Sequence, residues 1–226
     1  MFCDLAGSTA LAERLDPEDL RDHITAFQKV CTEVVARFGG YVARFMGDGL
    51  LVYFGYPSAH ENDAERAIRT GLHILEKIAA LNVTGSENLE VRIGIATGLV
   101  VAGDIIGEGA SEEHAVLGET PNLAARFQAL AEPGTVVVGE PTRRLAEGLF
   151  VFDDLGPQTL KGVAEPVTVY RLRAATEAQN RFEAAAQSRL TPLVGRGEEI
   201  DLLLSRWNRA KEGEGQVVLL SAEPGL

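Results

Sequence analysis

FMGDGLLVYF, residues Phe45–Phe54, reads as a strand, a tight hairpin tip at Asp48-Gly49, and a second strand. The flanking residues set the strands at Tyr41–Met46 and Leu50–Gly55. Upstream, Asp16-Pro17-Glu18-Asp19 is a helix start: a capping acid, proline at the first position, and further acids in the first turn. Leu20, Ile24, Phe27, Cys31, Val34, Val35 and Phe38 then recur at helical spacing until Gly39-Gly40 ends the run. Before that helix stands MFCDLAGSTAL, Met1–Leu11: a short apolar strand, an acid, and a small-residue turn opening a helix.

Downstream, a helix is expected over about Asp63–Leu81, with Ala64, Ile68, Leu72, Leu75 and Ile78 on one face. Glu90–Thr97 and Leu99–Ile106 read as a strand pair bent at Gly98, and Gly107–Glu113 as a polar loop. A strand at His114–Leu117, a helix over Pro121–Leu130, a strand at Thr135–Val138 and a helix over Pro141–Glu147 follow. Strands at Leu149–Asp154 and Pro166–Arg173 complete the series. This order predicts an α+β fold, a ferredoxin-like mixed sheet flanked by helices, ending near Arg173. Residues 174–190 read as a linker helix or a flexible tether. Residues 191–226 begin something new, with a strand at Gln216–Ser221.

The chain has 226 residues, enough for one sizeable core and a second small unit. Its net charge of −12 argues against a nucleic-acid surface, which needs clustered Lys and Arg. There is no basic, apolar leader and no stretch of membrane-spanning length, so a cytoplasmic protein with no membrane partner is expected. Cys3 and Cys31 lack CxxC spacing and sit in apolar patterns, which favours two buried thiols over a disulfide. His60, in HENDAE, and His114 lack the HExxH spacing of a zinc site.

Asp4 and Asp48 are carboxylates that turns of this kind leave exposed, and such a pair can hold two Mg²⁺ ions against a nucleotide's phosphates. Alone, Asp48 could be only a hairpin residue and Asp4 only a helix cap. Gly7, Ser8 and Thr9 place backbone N–H groups at a helix start, which suits a polyphosphate and equally suits ordinary capping. Asn122 and Arg126, in GETPNLAAR (Gly118–Arg126), stand four apart on one helix face, where an Asn and an Arg are often merely solvated.

FCDLAGST (Phe2–Thr9), the GDG hairpin, VRIGIATG (Val91–Gly98), GETPNLAAR and LKG (Leu160–Gly162) stand in sequence order. Together they resemble the catalytic domain of class III nucleotidyl cyclases, the adenylyl and guanylyl cyclases, over Met1 to Arg173. The resemblance implies conversion of a nucleoside triphosphate, ATP or possibly GTP, to its cyclic 3′,5′-monophosphate and pyrophosphate by a homodimer. It implies two Mg²⁺ or Mn²⁺ ions held at Asp4, Leu5 and Asp48. Asn122 and Arg126 match the pair that steadies the transition state, and Arg92 and Lys161 match positions binding the terminal phosphates.

Asp4, Asp48 and Arg92 would come from one protomer; Arg44, Ala115, Asn122, Arg126 and Lys161 would come from its partner. Two positions depart from the adenylyl cyclase pattern. A base-reading Lys before the hairpin is Arg44 here, and an Asp or Thr three residues before Gly118 is Ala115. Arg and Lys are not interchangeable at such a site, and Ala115 can neither donate nor accept, so the choice of base stays open. The alternatives are a catalytically weak or silent cyclase-fold regulatory module controlling an attached ATPase, or a guanylyl cyclase.

LVGRGEEIDLLL (Leu193–Leu204) followed by VVLLSAEPGL looks like the entry to an AAA-like P-loop ATPase domain, expected as a partner in a longer protein. Ala222 stands where the phosphate loop's first glycine belongs and no Lys follows, so a fragment that binds no ATP there is expected. Met1–Cys3 reads as a shortened first strand.

Overall fold

The computed structural model describes residues 1–81, 89–105, 113–177, 195–219 and 221. The chain forms two compact units, Met1–Ala184 and Ala185–Leu226. In the first, β1 (Phe2–Leu5) leads through α1 (Ser8–Arg14) and α2 (Pro17–Arg37) to β2 (Tyr41–Met46) and β3 (Gly49–Tyr53). Then come α3 (Asp63–Ala79), β4 (Val91–Ile95), β5 (Val101–Ile105), β6 (Glu113–Leu117), α4 (Glu119–Leu130) and β7 (Thr135–Gly139). After these stand α5 (Glu140–Leu145), β8 (Phe150–Gln158) and β9 (Val167–Ala175). The α2 start forms as expected: the Asp16 carboxylate accepts from the Glu18 and Asp19 N–H groups, both at 3.0 Å.

Seven strands form one mixed sheet in the order β2-β3-β1-β4-β7-β9-β8, all pairs antiparallel except β4 with β7. The first four strands show the interleaved βαββαβ arrangement of ferredoxin-like folds, and the expected α+β fold is observed. Strand alternation decides which residues enter which layer. Cys3, Leu5, Val91, Ile93 and Ile95 point to one face, where Phe27, Cys31 and Val35 of α2 and Ile68, Ile74 and Ile78 of α3 close the main core. Each large apolar side chain sealed there contributes about 1.5–3 kcal/mol. On the opposite face lies a smaller cluster, Phe127 of α4 and Ala131 just after it, with Val137, Leu160 and Val169. Cys3 and Cys31 are free thiols, both fully buried.

Three local expectations are corrected. Glu90–Thr97 and Leu99–Ile106 do not pair with each other. Both edges of β4 are taken, by β1 and by β7, so the chain leaves the sheet at Gly98 and β5 pairs with β6 in a separate ribbon. At the first hairpin, Met46 pairs with Gly49, so the two-residue loop is Gly47-Asp48, with Gly47 taking the left-handed conformation at φ 64°. Gly49 instead begins β3, where a Cβ would meet the Cys3 carbonyl at 3.1 Å. In the second unit, α6 (Gly197–Lys211) forms, but the described part of Gln216–Ser221 is not a strand. No other strand is present among the described residues of that unit, and a strand without a ladder partner has nothing to hold it. The expected polar loop Gly107–Glu113 and the linker lie largely outside the described residues.

Candidate active site

The same alternation that buries Cys3 and Leu5 turns Asp4 to the α4 side of the sheet. Asp4 is in register with Arg92 across β1 and β4, and Arg92 Nη2 donates to Asp4 Oδ2 at 3.1 Å. A second donor reaches the same oxygen from above: Gln128 Nε2 of α4, at 2.9 Å. Asp4 Oδ1 is buried and has no hydrogen-bond partner, as is Arg92 Nε. The hairpin tip brings Asp48 alongside. Its carbonyl accepts from the Leu5 N–H at 3.2 Å, and Gln28 Nε2 of α2 donates to the neighbouring Gly47 carbonyl at 3.1 Å. Gln28 and Gln128 were not anticipated from sequence.

Burial holds the Asp4 carboxyl above the usual carboxylate range, and the Asp48 charge beside it adds to that rise. Arg92 and Gln128 offset only part of it. Two acids crowded together, with one buried oxygen left unpartnered, are a donor set that a hard divalent cation would satisfy. Among the described residues no group of three or more His, Cys, Asp or Glu side chains assembles a metal cage. Two carboxylates suffice for Mg²⁺ or Mn²⁺ when phosphate and water complete the shell. The Leu5 side chain is sealed in the core, so only its main chain faces this site.

The sign of the electrostatics gives a test. A raised Asp4 pKa means the ionised form is disfavoured in the folded state. Metal-free stability therefore falls as pH rises from the ordinary carboxylate value through the raised one, and the penalty is complete above it. Asp48→Asn should raise the melting temperature of the metal-free protein at neutral pH by a few degrees, about 2–4 °C for each kcal/mol regained. It should also abolish any rise in melting temperature that Mn²⁺ produces in the parent. Calorimetry with and without Mn²⁺ checks both; a variant no more stable than the parent would mean the two acids do not strain each other.

The other expected residues lie elsewhere. Gly7, in the left-handed conformation at φ 71°, starts the short α1 just after Asp4, with Ser8 and Thr9 its first helical residues. On α4, Asn122 is exposed, and the Arg126 guanidinium lies beside Gly162, where a Cβ would come within 3.2 Å of Nη2. That places Arg126 next to the turn carrying exposed Lys161. Positions 126 and 128 are about 200° apart around a helix, so the Arg126 and Gln128 side chains leave α4 on opposite sides. Arg44 is exposed on β2 beside an irregularity in its pairing with β3. Ala115 pairs with Gly103 in the ribbon, outside the large sheet.

The domain is a mixed sheet with helices on both faces, in which Asp4 of β1 and Asp48 at the hairpin tip lie together and α4, carrying Asn122 and Arg126, covers one face. The adenylate and guanylate cyclase catalytic domain family matches residues 1–174, and the chain belongs to that family. Adenylate cyclase 1 of Rhizobium meliloti is 28% identical over 192 residues, 81% of this chain and 28% of that one. The solved adenylyl cyclase CyaB of P. aeruginosa superimposes with a TM-score of 0.74 at 27% identity, covering 79% of this chain and 94% of CyaB. The guanylyl cyclase Cya2 gives 0.73 at 31%, covering 79% and 92%. The chain spans well under a third of the length of the curated relatives it matches first. No helix among the described residues is long and apolar enough to cross a membrane.

Proposed function

We propose that this domain converts ATP to 3′,5′-cyclic AMP and pyrophosphate in grooves shared between two copies of the chain. The supporting observation is the division of labour on α4. Gln128 meets Asp4 on one side of the helix, while Arg126 leaves on the other, toward Gly162. One chain thus carries two half-sites facing apart, and a two-fold dimer would join unlike halves twice. Apolar side chains exposed at the hairpin, Phe45 and Met46, and Leu99, 97% exposed beyond β4, offer surface for such pairing.

In this reading Asp4, through its unpartnered Oδ1, and Asp48 hold two Mg²⁺ or Mn²⁺ ions, with the Leu5 main chain beside them. When bound, the ions activate the attacking 3′-hydroxyl and neutralise the leaving pyrophosphate. The backbone at Gly7, Ser8 and Thr9 faces the phosphates, and Arg92 supplies positive charge next to them. From the second chain, Arg126 donates to the charge developing on the α-phosphate, Asn122 orients the ribose, and Lys161 meets the terminal phosphates.

Arg44 and Ala115 give the base few polar contacts, so discrimination against GTP should be modest, about tenfold or less. Relatives named as adenylate cyclases favour ATP. Incubation with ATP or GTP and Mn²⁺, followed by product analysis, tests this. Cyclic AMP as the main product is expected; cyclic GMP would reverse the base assignment. Binding without any cyclic product would select a regulatory module. The ATPase reading of residues 191–226 finds no support in the family match, which ends at residue 174.

A further inference from the structure

We propose that Gln128 is a positioning residue that fixes the rotamer of Asp4 and leaves Oδ1 for the cation; this rests on the metal-holding reading above. The case is geometric. Asp4 Oδ2 is doubly occupied, by Arg92 Nη2 at 3.1 Å and Gln128 Nε2 at 2.9 Å, and Oδ1 is buried without a partner. A carboxylate held at one oxygen by two donors from different elements cannot rotate to present the other way without breaking both. Arg92 comes from the neighbouring strand and Gln128 from the helix packed on the sheet, so the two donors that meet at Oδ2 are carried by separate elements.

The backbone that carries Gln128 is itself fixed. Gly94 of β4 lets α4 lie so close that a Cβ there would come within 2.2 Å of both the Ala124 carbonyl oxygen and the Gln128 nitrogen. The amide therefore starts from a defined point above β1. Partners that orient a metal-holding carboxylate in this way are worth about 10- to 100-fold in metal affinity. Gln128 should act only on Asp4 of its own chain, since Arg126 leaves α4 on the other side.

Gln128→Met keeps the side-chain length and removes the donor. Mn²⁺ would be titrated by electron paramagnetic resonance in the presence of 3′-deoxy-ATP, which cannot cyclise. An Mn²⁺ dissociation constant raised about tenfold, with little change in melting temperature, is expected; unchanged Mn²⁺ affinity overturns the role. Should the Met variant fail to fold, Gln128→Asn, which withdraws the donor by one methylene, is measured the same way. Activity in mixed dimers then separates positioning of Asp4 from a disturbed helix. In a mixture of Arg126→Ala and Asp48→Ala chains, Gln128→Met placed in the Arg126→Ala chain, whose Asp4 is in use, should lower turnover at limiting Mn²⁺. Placed in the Asp48→Ala chain it should change nothing, and the reverse pattern overturns the proposal. If the parent mixture regains no activity, the shared-groove reading fails by itself, and the Mn²⁺ titration alone decides for Gln128.

Discussion

Asp48→Ala and Arg126→Ala should each lower turnover by about 10²–10³-fold or more, and mixing the two inactive proteins should restore about a quarter of the parent's specific activity. The individual losses follow from the two half-sites. Without Asp48 the pair of acids that would hold the cations is broken, and Asp4 alone faces the phosphates with Arg92 already bound to it. Without Arg126 the charge developing at the α-phosphate loses its guanidinium donor. The recovery follows from symmetry. Random pairing makes half the dimers mixed, and each mixed dimer has one groove with both lesions and one with neither. The assay requires demonstrated subunit exchange, by differential tagging, before turnover is read. Mixed dimers that stay inactive would show that both halves of a working site must come from one chain.

Much of this arrangement was legible before any coordinates. Turn-forming residues mark the acids at positions 4 and 48 as exposed carboxylates, the ordered motifs around them point to a metal role, and a helix cap such as Asp16 is a local matter. Asn122 and Arg126 are four apart and share a face by helical geometry alone. What periodicity cannot tell is which neighbour a face meets. Gln128 looks like any polar residue near a helix end, and only the descent of α4 onto β4 and β1 makes it a partner of Asp4. Gln28 is hidden for the same reason, being on α2 but bonded to a hairpin tip 19 residues away.

The misread pair Glu90–Thr97 and Leu99–Ile106 illustrates the complementary failure. Gly98 is a sound local signal for a bend. Whether the two arms then pair depends on β1 and β7, which reach β4 from far along the chain and occupy both of its edges. Gln216–Val217-Val218-Leu219 likewise has the composition of a strand, yet Val217 is 98% exposed and no partner strand stands beside it among the described residues. Composition proposes strands; available edges decide them.

Gly94→Ala is the substitution expected to do most damage for its size. The added methyl would lie 2.2 Å from the Ala124 carbonyl oxygen, 2.2 Å from the Gln128 nitrogen and 2.9 Å from the Gln128 Cα. All three are main-chain atoms of α4, so no side-chain rotation relieves the overlap. The helix has to lift, and lifting it opens the contact of Ala124 and Phe127 with the sheet. Overpacking of this kind costs about 1–3 kcal/mol, a fall of roughly 2–12 °C in melting temperature for a chain of this length. The functional loss should be larger than the stability loss. In the proposed dimer α4 would carry Asn122 and Arg126 for one groove and Gln128 for the other, so one displacement would disturb both, and misplacement by about 1 Å can cost 10²-fold in rate. Gly197→Ala, with open space around the added methyl, is the matched control and should leave melting and turnover unchanged. Parent-like melting and turnover in Gly94→Ala would mean that α4 does not rest on β4 as closely as the shared-site geometry requires.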